Sequence, residues 1–445
     1  MPDPLATGPH RIVIVGGGAG GLELATRLGH ELGKSRRADV CLLDAELTHL
    51  WKPLLHEVAA GTLDSHEDEL SYLAQAHWHH FHFRLGRVVE VDRRNRLVRT
   101  APTLDDSGKE YIPARTLGYD TLVVAVGSMC NDFGITGVRE HCHFLDRRAQ
   151  ADRFHQHLLR SYYAAQTRQQ PMRPGQLHIA IAGAGATGVE LAAELHYSAR
   201  QLIEYGLNRI DAEKHVRITI IEAADRILPG LPPRLSSQVD RALRAAGIEI
   251  LTNERITEAT AEGFMTQRGR FLPAEIKVWA AGIKAPDFLA RIEGLECNRL
   301  NQLIVRPTLQ TTRDDDVFAF GDCAACPMRY APGDVPPRAQ AAHQQAAMLA
   351  RGLKCRLEKR PLPEYRYVDY GSLINLSQYS TVGNLMGNIA RLWSSSIFIE
   401  GIFARLVYLS LYKMHLVTLH GMFRTALTTL ANLLTRRTRP RMKLH

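Results

Sequence analysis

The feature that most restricts this fold is a glycine pattern that the chain carries twice. Arg11-Ile-Val-Ile-Val runs into Gly16-Gly-Gly18-Ala-Gly-Gly21, and His178-Ile-Ala-Ile-Ala runs into Gly183-Ala-Gly185-Ala-Thr-Gly188. Each is a short apolar strand that breaks into G-x-G-x-x-G spacing and continues with helical periodicity. The first glycine permits a tight turn, the second lets a pyrophosphate approach the backbone, and the third lets helix and strand pack closely. The helix start then offers free N–H groups and a positive dipole end to the phosphates. Behind each copy a second apolar run ends in an acid, Val40–Leu43 in Asp44 and Val216–Ile221 in Glu222. A carboxylate at that place accepts hydrogen bonds from a ribose diol. One glycine triplet is a common turn, whereas two complete copies imply two dinucleotides and a doubled α/β fold.

Other strand ends punctuate the chain. Gly118-Tyr-Asp-Thr-Leu-Val-Val-Ala-Val-Gly127 reads as a buried strand stopping at glycine, Val278-Trp-Ala-Ala-Gly282 repeats that form, and Val317-Phe-Ala-Phe-Gly-Asp322 ends in Gly-Asp. Asp146–Gln166 has helical periodicity, and Gln169–Gly175 is a linker. The apolar, aromatic stretch His49–Gly61, with Lys52 among its few polar groups, suits a segment lying along a flavin or substrate. It holds no cysteine pair through which electrons could leave.

Several residues admit two readings. Glu190, two residues past Gly188, reads as an acid in the first helical turn, favoured by the dipole. Gln340 and Gln344 share one face of a helix opening after Pro336-Pro337. With Ala339, Ala341 and Ala342 they could admit a flat head group, or they could be part of an ordinary amphipathic helix. His77-Trp-His-His-Phe-His82 puts His80 and His82 on one strand face, but no ligand spacing completes a metal set, so surface histidines and no metal are expected. Cys323-Ala-Ala-Cys326 could be a thioredoxin-like redox pair or half a zinc site, but no second pair completes a zinc site and the Gly-Asp turn already accounts for the loop.

Charge separates the end of the chain from the rest. Residues 371–445 hold nine Lys/Arg against Glu400, or +8 of the formal +9. Phe398–His420 is too interrupted by charge to span a bilayer. Wound as a helix, it sets Leu406, Val407, Leu411, Met414 and Val417 against Arg405, Tyr408, Tyr412, Lys413 and His420. A second helix from Met422 sets Phe423, Ala426, Leu427, Leu430, Leu433 and Leu434 against Arg424, Thr425, Thr428 and Asn432, then runs into Arg436, Arg437, Arg439, Arg441 and Lys443. Wide apolar faces beside cations describe interfacial helices on an anionic lipid surface; packing on the globular body or a dimer interface is the alternative. Nucleic acid fits poorly, because no aromatics interleave with the cations. The seven cysteines, odd in number and scattered, suit a reducing cytosol, and the first ten residues carry no secretory signal.

Taken in order, these motifs resemble the flavoprotein reductases with two nucleotide domains. More narrowly, His49–Gly61, Val278–Pro286, the run Ala339-Gln-Ala-Ala-His-Gln344 (an A-Q-x-A-x-Q pattern) and the basic end are similar to the bacterial type II, non-proton-pumping NADH:quinone oxidoreductases. The resemblance implies a glutathione-reductase-like α/β fold. An FAD-binding domain would be built from residues 8–167 and 299–370, an NADH-binding domain from 168–298, and an amphipathic helical membrane segment from 371–445. It implies FAD on Gly16, Gly18, Gly21, Asp44, Lys52, Gly127, Asp322 and Gln340. It places NADH on Gly183, Gly185, Gly188, Glu190, Glu222 and Gly282, and quinone at Gln340 and Gln344. Glu190 would then orient the nicotinamide or assist proton delivery. Glu222 favours NADH, since a carboxylate repels a 2′-phosphate, although Arg226 lies close. The implied enzyme is peripheral on the cytoplasmic face of the inner membrane, with dimerisation left open. A sulfide:quinone-type flavoprotein and a dinucleotide-binding sensor of the apoptosis-factor kind are the alternatives.

Overall fold

Ile12, Val13, Ile14 and Val15 are each at most 4% exposed, so the first strand, His10–Val15, is covered on both faces, as a central parallel strand must be. The structure is a computed structural model that describes residues 8–65, 69–105, 107–169, 171–207, 209–377, 381–385, 397–400, 413–419, 421–435 and 442–443. Two units emerge. One comprises Met1–Trp51, Glu69–Met129 and Ile283–Val368; the other comprises Lys52–Asp68, Cys130–Gly282 and Asp369–His445.

In the first unit a six-stranded sheet runs Gln310–Thr311, Asp314–Ala319, Thr121–Val124, His10–Val15, Ala38–Asp44, His82–Leu85. All neighbours are parallel except the first pair, and Val13 lies between Leu122 and Cys41. The glycine helix Ala19–Leu28 extends into a π-helical turn, Gly29–Gly33, and packs on the helix Ala339–Leu357. A Cβ on Gly20 would come within 3.2 Å of the Ala342 carbonyl oxygen, so small residues set this crossing.

In the second unit four parallel strands run Glu249–Leu251, Arg217–Ile221, His178–Ala182, Ile276–Trp279. An antiparallel sheet of Ile256–Ala259, Gly263–Thr266 and Phe271–Pro273 shares their core of Ala180, Ile221, Phe264 and Trp279. The expected helix forms as Arg148–Thr167, and Gln150 Oε1 fixes its start by accepting from the N–H groups of Asp146 and Arg147.

The C-terminal stretch departs from its periodicity. Phe398–Glu400, expected at the head of a helix, lie on the strand Ile397–Glu400, which pairs with Thr381–Leu385, itself paired with Ser372–Asn375. Available partner strands decide such a short apolar run, and local periodicity does not reveal them. Residues 401–412 and 436–441, with Arg405, Leu406, Val407, Tyr408, Leu411 and four of the five basic-tail cations, lie outside the described residues. Helix 413–419 and the helix Met422–Thr435 do form. In the latter Thr425 is buried, while Met422, Phe423, Leu427, Leu430 and Leu434 are 55–82% exposed. Met442 is buried and Lys443 is held by the body: its N–H donates to the Gly61 carbonyl at 2.8 Å and its Nζ lies 3.1 Å from Asp64. Lys443 is therefore not a solvated tail cation.

Candidate functional site

The two glycine turns are built alike. Gly16 and Gly183 take φ of +101° and +97°, which only glycine adopts without strain. A Cβ on Gly21 would lie 1.8 Å from the Gly16 carbonyl oxygen, and one on Gly188 would lie 2.1 Å from that of Gly183. The third glycine is thus demanded by the first. Gly18 and Gly185, the caps of the two helices, instead have no atom within 4 Å of a built Cβ and make no side-chain cap bond. Both helix starts therefore combine free first-turn N–H groups with room for a phosphate, so the residues present fit two dinucleotides.

The acids brace these turns symmetrically. Asp44 Oδ2 accepts from Gly17 N at 2.5 Å and its Oδ1 from Glu46 N at 2.8 Å. Glu222 Oε2 accepts from Ala184 N at 2.7 Å and its Oε1 from Ala224 N at 2.8 Å. Arg226, the residue that could favour a 2′-phosphate, donates to the Pro229 carbonyl and lies 3.5 Å from Asp225. Motif reading passed over Tyr72, whose hydroxyl donates to the Gly17 carbonyl at 2.7 Å; His49, the first residue of the stretch singled out above, has its Nδ1 3.0 Å from the same oxygen. Burial pushes His49 down to about 4.

The strand-ending glycines Gly127, Gly282 and Gly321 all have positive φ, between +64° and +73°. In the first unit Asp322 accepts from Ser128 Oγ at 2.8 Å, and Gln302 Nε2 donates to the Asp322 carbonyl at 2.9 Å. Buried Gln345, next to a residue singled out from the pattern, fixes the turn by accepting from Gly321 N at 2.8 Å. Lys52, in the second unit, opens a single helical turn, Lys52–Leu54, with its Nζ 3.7 Å from Asp146.

Gln340 and Gln344 both lie on the helix Ala339–Leu357 and point to one segment. Gln340 Nε2 donates to the Tyr367 hydroxyl at 3.1 Å. Gln344 Nε2 donates to the Val368 carbonyl at 2.7 Å, while its Oε1 accepts from Val368 N and the Tyr365 hydroxyl. Part of the small-residue pattern is packing, since Ala341 is buried and Ala342 meets Gly20. Between the two glutamines His343 Nδ1 bonds fully buried Glu23 at 2.5 Å, tying this helix to the glycine helix.

Glu190 is not in the first turn. The helix Ala186–Glu204 starts four residues earlier, so Glu190 sits in the second turn, 8% exposed. Its Oε1 accepts from Asn375 N at 3.0 Å and its Oε2 lies 4.0 Å from His56 Nδ1. Burial, with Glu194 adding to it, raises Glu190 to about 8, so it holds a proton at neutral pH.

The histidine cluster is not one strand. His77 and His79 end the helix Tyr72–His79, His80 takes a left-handed φ of +58°, and His82 lies on the strand His82–Leu85, so His80 and His82 do not share its face. His79 bonds His30 at 2.7 Å. Cys323 and Cys326 are buried, and burial pushes both thiols up to about 12, far from a reactive thiolate.

Residues 10–346 match the family model described as pyridine nucleotide-disulphide oxidoreductase. The chain is 42% identical over 447 aligned residues to the type II NADH:quinone oxidoreductase of Haemophilus influenzae, covering 98% of this chain and 99% of that one. The fold is similar to NDH2 from Plasmodium falciparum in complex with NADH, with a TM-score of 0.81 at 18% identity over 98% of this chain and 100% of that one. It is also similar to the sulfide:quinone oxidoreductase of Aquifex aeolicus, with a TM-score of 0.72 at 17% identity over 97% and 96%. The chain therefore belongs to the pyridine nucleotide-disulphide oxidoreductases and, within them, to the type II NADH:quinone oxidoreductase family.

Proposed function

We propose that this protein oxidises NADH and reduces a membrane quinone by way of FAD, without pumping protons. The carrying observation is the pair of matched glycine cradles, each with a bare helix start and a carboxylate gripping its turn. FAD supplies, when bound, a hydride acceptor that can pass on two electrons.

The chain's own residues supply position and charge. In the first unit Gly16–Gly21 receives the FAD pyrophosphate, Asp44 offers its carboxylate to the ribose, and Asp322 and Gly127 contribute at the sheet's carboxyl edge. In the second unit Gly183–Gly188 receives NADH, and Glu222 disfavours a 2′-phosphate; Arg226, engaged by Pro229 and Asp225, leaves that preference standing. Glu190 holds a proton at its carboxyl, in a chemistry that consumes protons as quinol forms. Lys52 belongs with the residues holding FAD and Gly282 with those holding NADH. Gln340 is proposed at both FAD and quinone, and Gln344 at quinone, with their amides oriented by Tyr367 and Val368. The domain assignment of FAD to residues 8–167 and 299–370 and of NADH to 168–298 goes with this reading.

Membrane contact is peripheral and runs through residues 398–445. No helix among the described residues is long and apolar enough to cross a membrane. The helix Met422–Thr435 instead turns Phe423, Leu427 and Leu430 outward. Contact with the cytoplasmic leaflet follows from the positive charge of this segment.

The test is anaerobic. NADH should bleach the flavin of purified protein, and a short-chain quinone should restore its colour; absence of recovery defeats the quinone assignment and leaves a dinucleotide-binding sensor.

A further inference from the structure

Within the second unit the helices Leu55–Ala60 and Ala186–Glu204 pack together and bring His56, Glu57 and Glu194 to one place. One ligand-type atom from each lies within 4.8 Å of the other two. His56 is 2% exposed and Glu194 5%, while Glu57 keeps an 18% exposed side chain as an opening to solvent.

The imidazole is the informative member. His56 Nε2 is buried with no hydrogen-bond partner among the described residues, 3.8 Å from Glu57 Oε1. The ring's remaining bond is to the backbone of Pro53. Proline has no N–H, so that bond is Nδ1–H donating to a carbonyl, which leaves a bare lone pair on Nε2. A backbone-held Nδ1–H behind an unsatisfied Nε2 that faces a carboxylate, here Glu57, is how proteins orient a metal-binding histidine. Burial also keeps this ring neutral, pushed down to about 4. Thr62 Oγ1 donates to Glu194 Oε2 at 3.1 Å, the kind of outer bond that steadies a ligating carboxylate.

We propose that His56, Glu57 and Glu194 form a binding site for a borderline divalent cation of the zinc class, clasping the helix Leu55–Ala60 to the helix Ala186–Glu204. Two carboxylates beside a neutral imidazole form a donor set that a divalent ion neutralises. The nitrogen ligand selects against magnesium and calcium, which take oxygen. Ligands at ~2.1 Å around zinc sit about 3.4 Å apart; rotation of the two glutamate side chains closes the present spread while Pro53 holds the ring. The ion is a brace between the two helices, next to Glu190, whose Oε2 lies 4.0 Å from His56 Nδ1, rather than a participant in hydride transfer.

The experiment uses the full-length flavoprotein, stripped with a chelator and then given zinc alone. We expect one tightly retained zinc per chain after gel filtration, and a melting temperature raised by zinc but not by magnesium. His56→Gln and Glu194→Gln should each lower zinc affinity at least ~tenfold and remove the shift. Glu57→Gln, at the solvent-facing edge, should do the same with flavin content intact, and decides the matter if either buried substitution fails to fold. Zinc retention and a melting shift in all three variants equal to the parent's would place the ion on surface histidines such as His77 or His80 and overturn the proposal. Absence of a zinc shift in the parent would also overturn it.

Discussion

At the scale of single residues, the third glycine of each cradle is fixed by a distance rather than a preference. Gly188→Ala would press a methyl group against the Gly183 carbonyl oxygen, 2.1 Å from the ideal Cβ position. Overpacking of this kind costs about 1–3 kcal/mol. The expected variant keeps its flavin but is bleached by NADH at least tenfold more slowly, as flavin content and stopped-flow absorbance will report. His49 gives a pH signature. Its folded value is depressed to about 4 from the ordinary 6.5, so the unfolded chain binds the extra proton between those limits. Stability contributed by the neutral ring is full above pH 6.5 and is lost as pH falls towards 4, at ~1.4 kcal/mol per unit. Denaturant melts from pH 7 to 4.5 should show a slope to which His49 adds this share beside His56 and His143, also pushed down to about 4 by burial, and the slope should fall in His49→Gln. The motif spacing made Asp44, Glu222 and the six glycines legible in the chain. Tyr72 was not, and His49 only as the start of an apolar stretch, because what they do is contact the Gly17 carbonyl from 55 and 32 positions away, and such a contact carries no pattern.

At the scale of elements, the helix Met422–Thr435 shows its apolar side to solvent and turns Thr425 inward, the reverse of a helix that stabilises a soluble core. Phe423→Glu with Leu427→Glu should move the protein from membrane pellet to supernatant while leaving NADH oxidation by a soluble acceptor unchanged. Persistence in the pellet would argue against this anchor. Point substitutions are the cleaner probe. Truncation before Ile397 removes a strand paired to Thr381–Leu385, whose sheet includes Asn375, the partner of Glu190. It also removes the contacts of Lys443 with Gly61 and Asp64. Glu190 itself illustrates how one turn matters. As a first-turn acid it would be a dipole partner, whereas in the second turn it is a buried carboxyl that keeps its proton.

At the scale of the whole molecule, charge and apolar surface are concentrated in the same part of the chain. Residues 371–445 hold +8 of the net +9, but Lys443 is committed to Asp64. If the segment meets anionic lipid as proposed, each cation of its tail adds ~1 kcal/mol near the surface, and Lys443 is not among them. Cosedimentation with vesicles containing anionic lipid should weaken as salt rises and level off above zero, the residue reflecting burial of Phe423, Leu427 and Leu430; complete release by salt would show that the apolar face does not insert.

The sequence alone determined the doubled cradle, the two braced acids and the helix bearing Gln340 and Gln344, because each is set by local sterics or by spacing along one helix or turn. Tertiary structure decided what depends on partners far along the chain. It made Ile397–Glu400 a strand, engaged Gln344 with Val368, returned Lys443 to Asp64, and gathered His56, Glu57 and Glu194 to one place. Burial and pairing are properties of the folded neighbourhood, and no local periodicity encodes them.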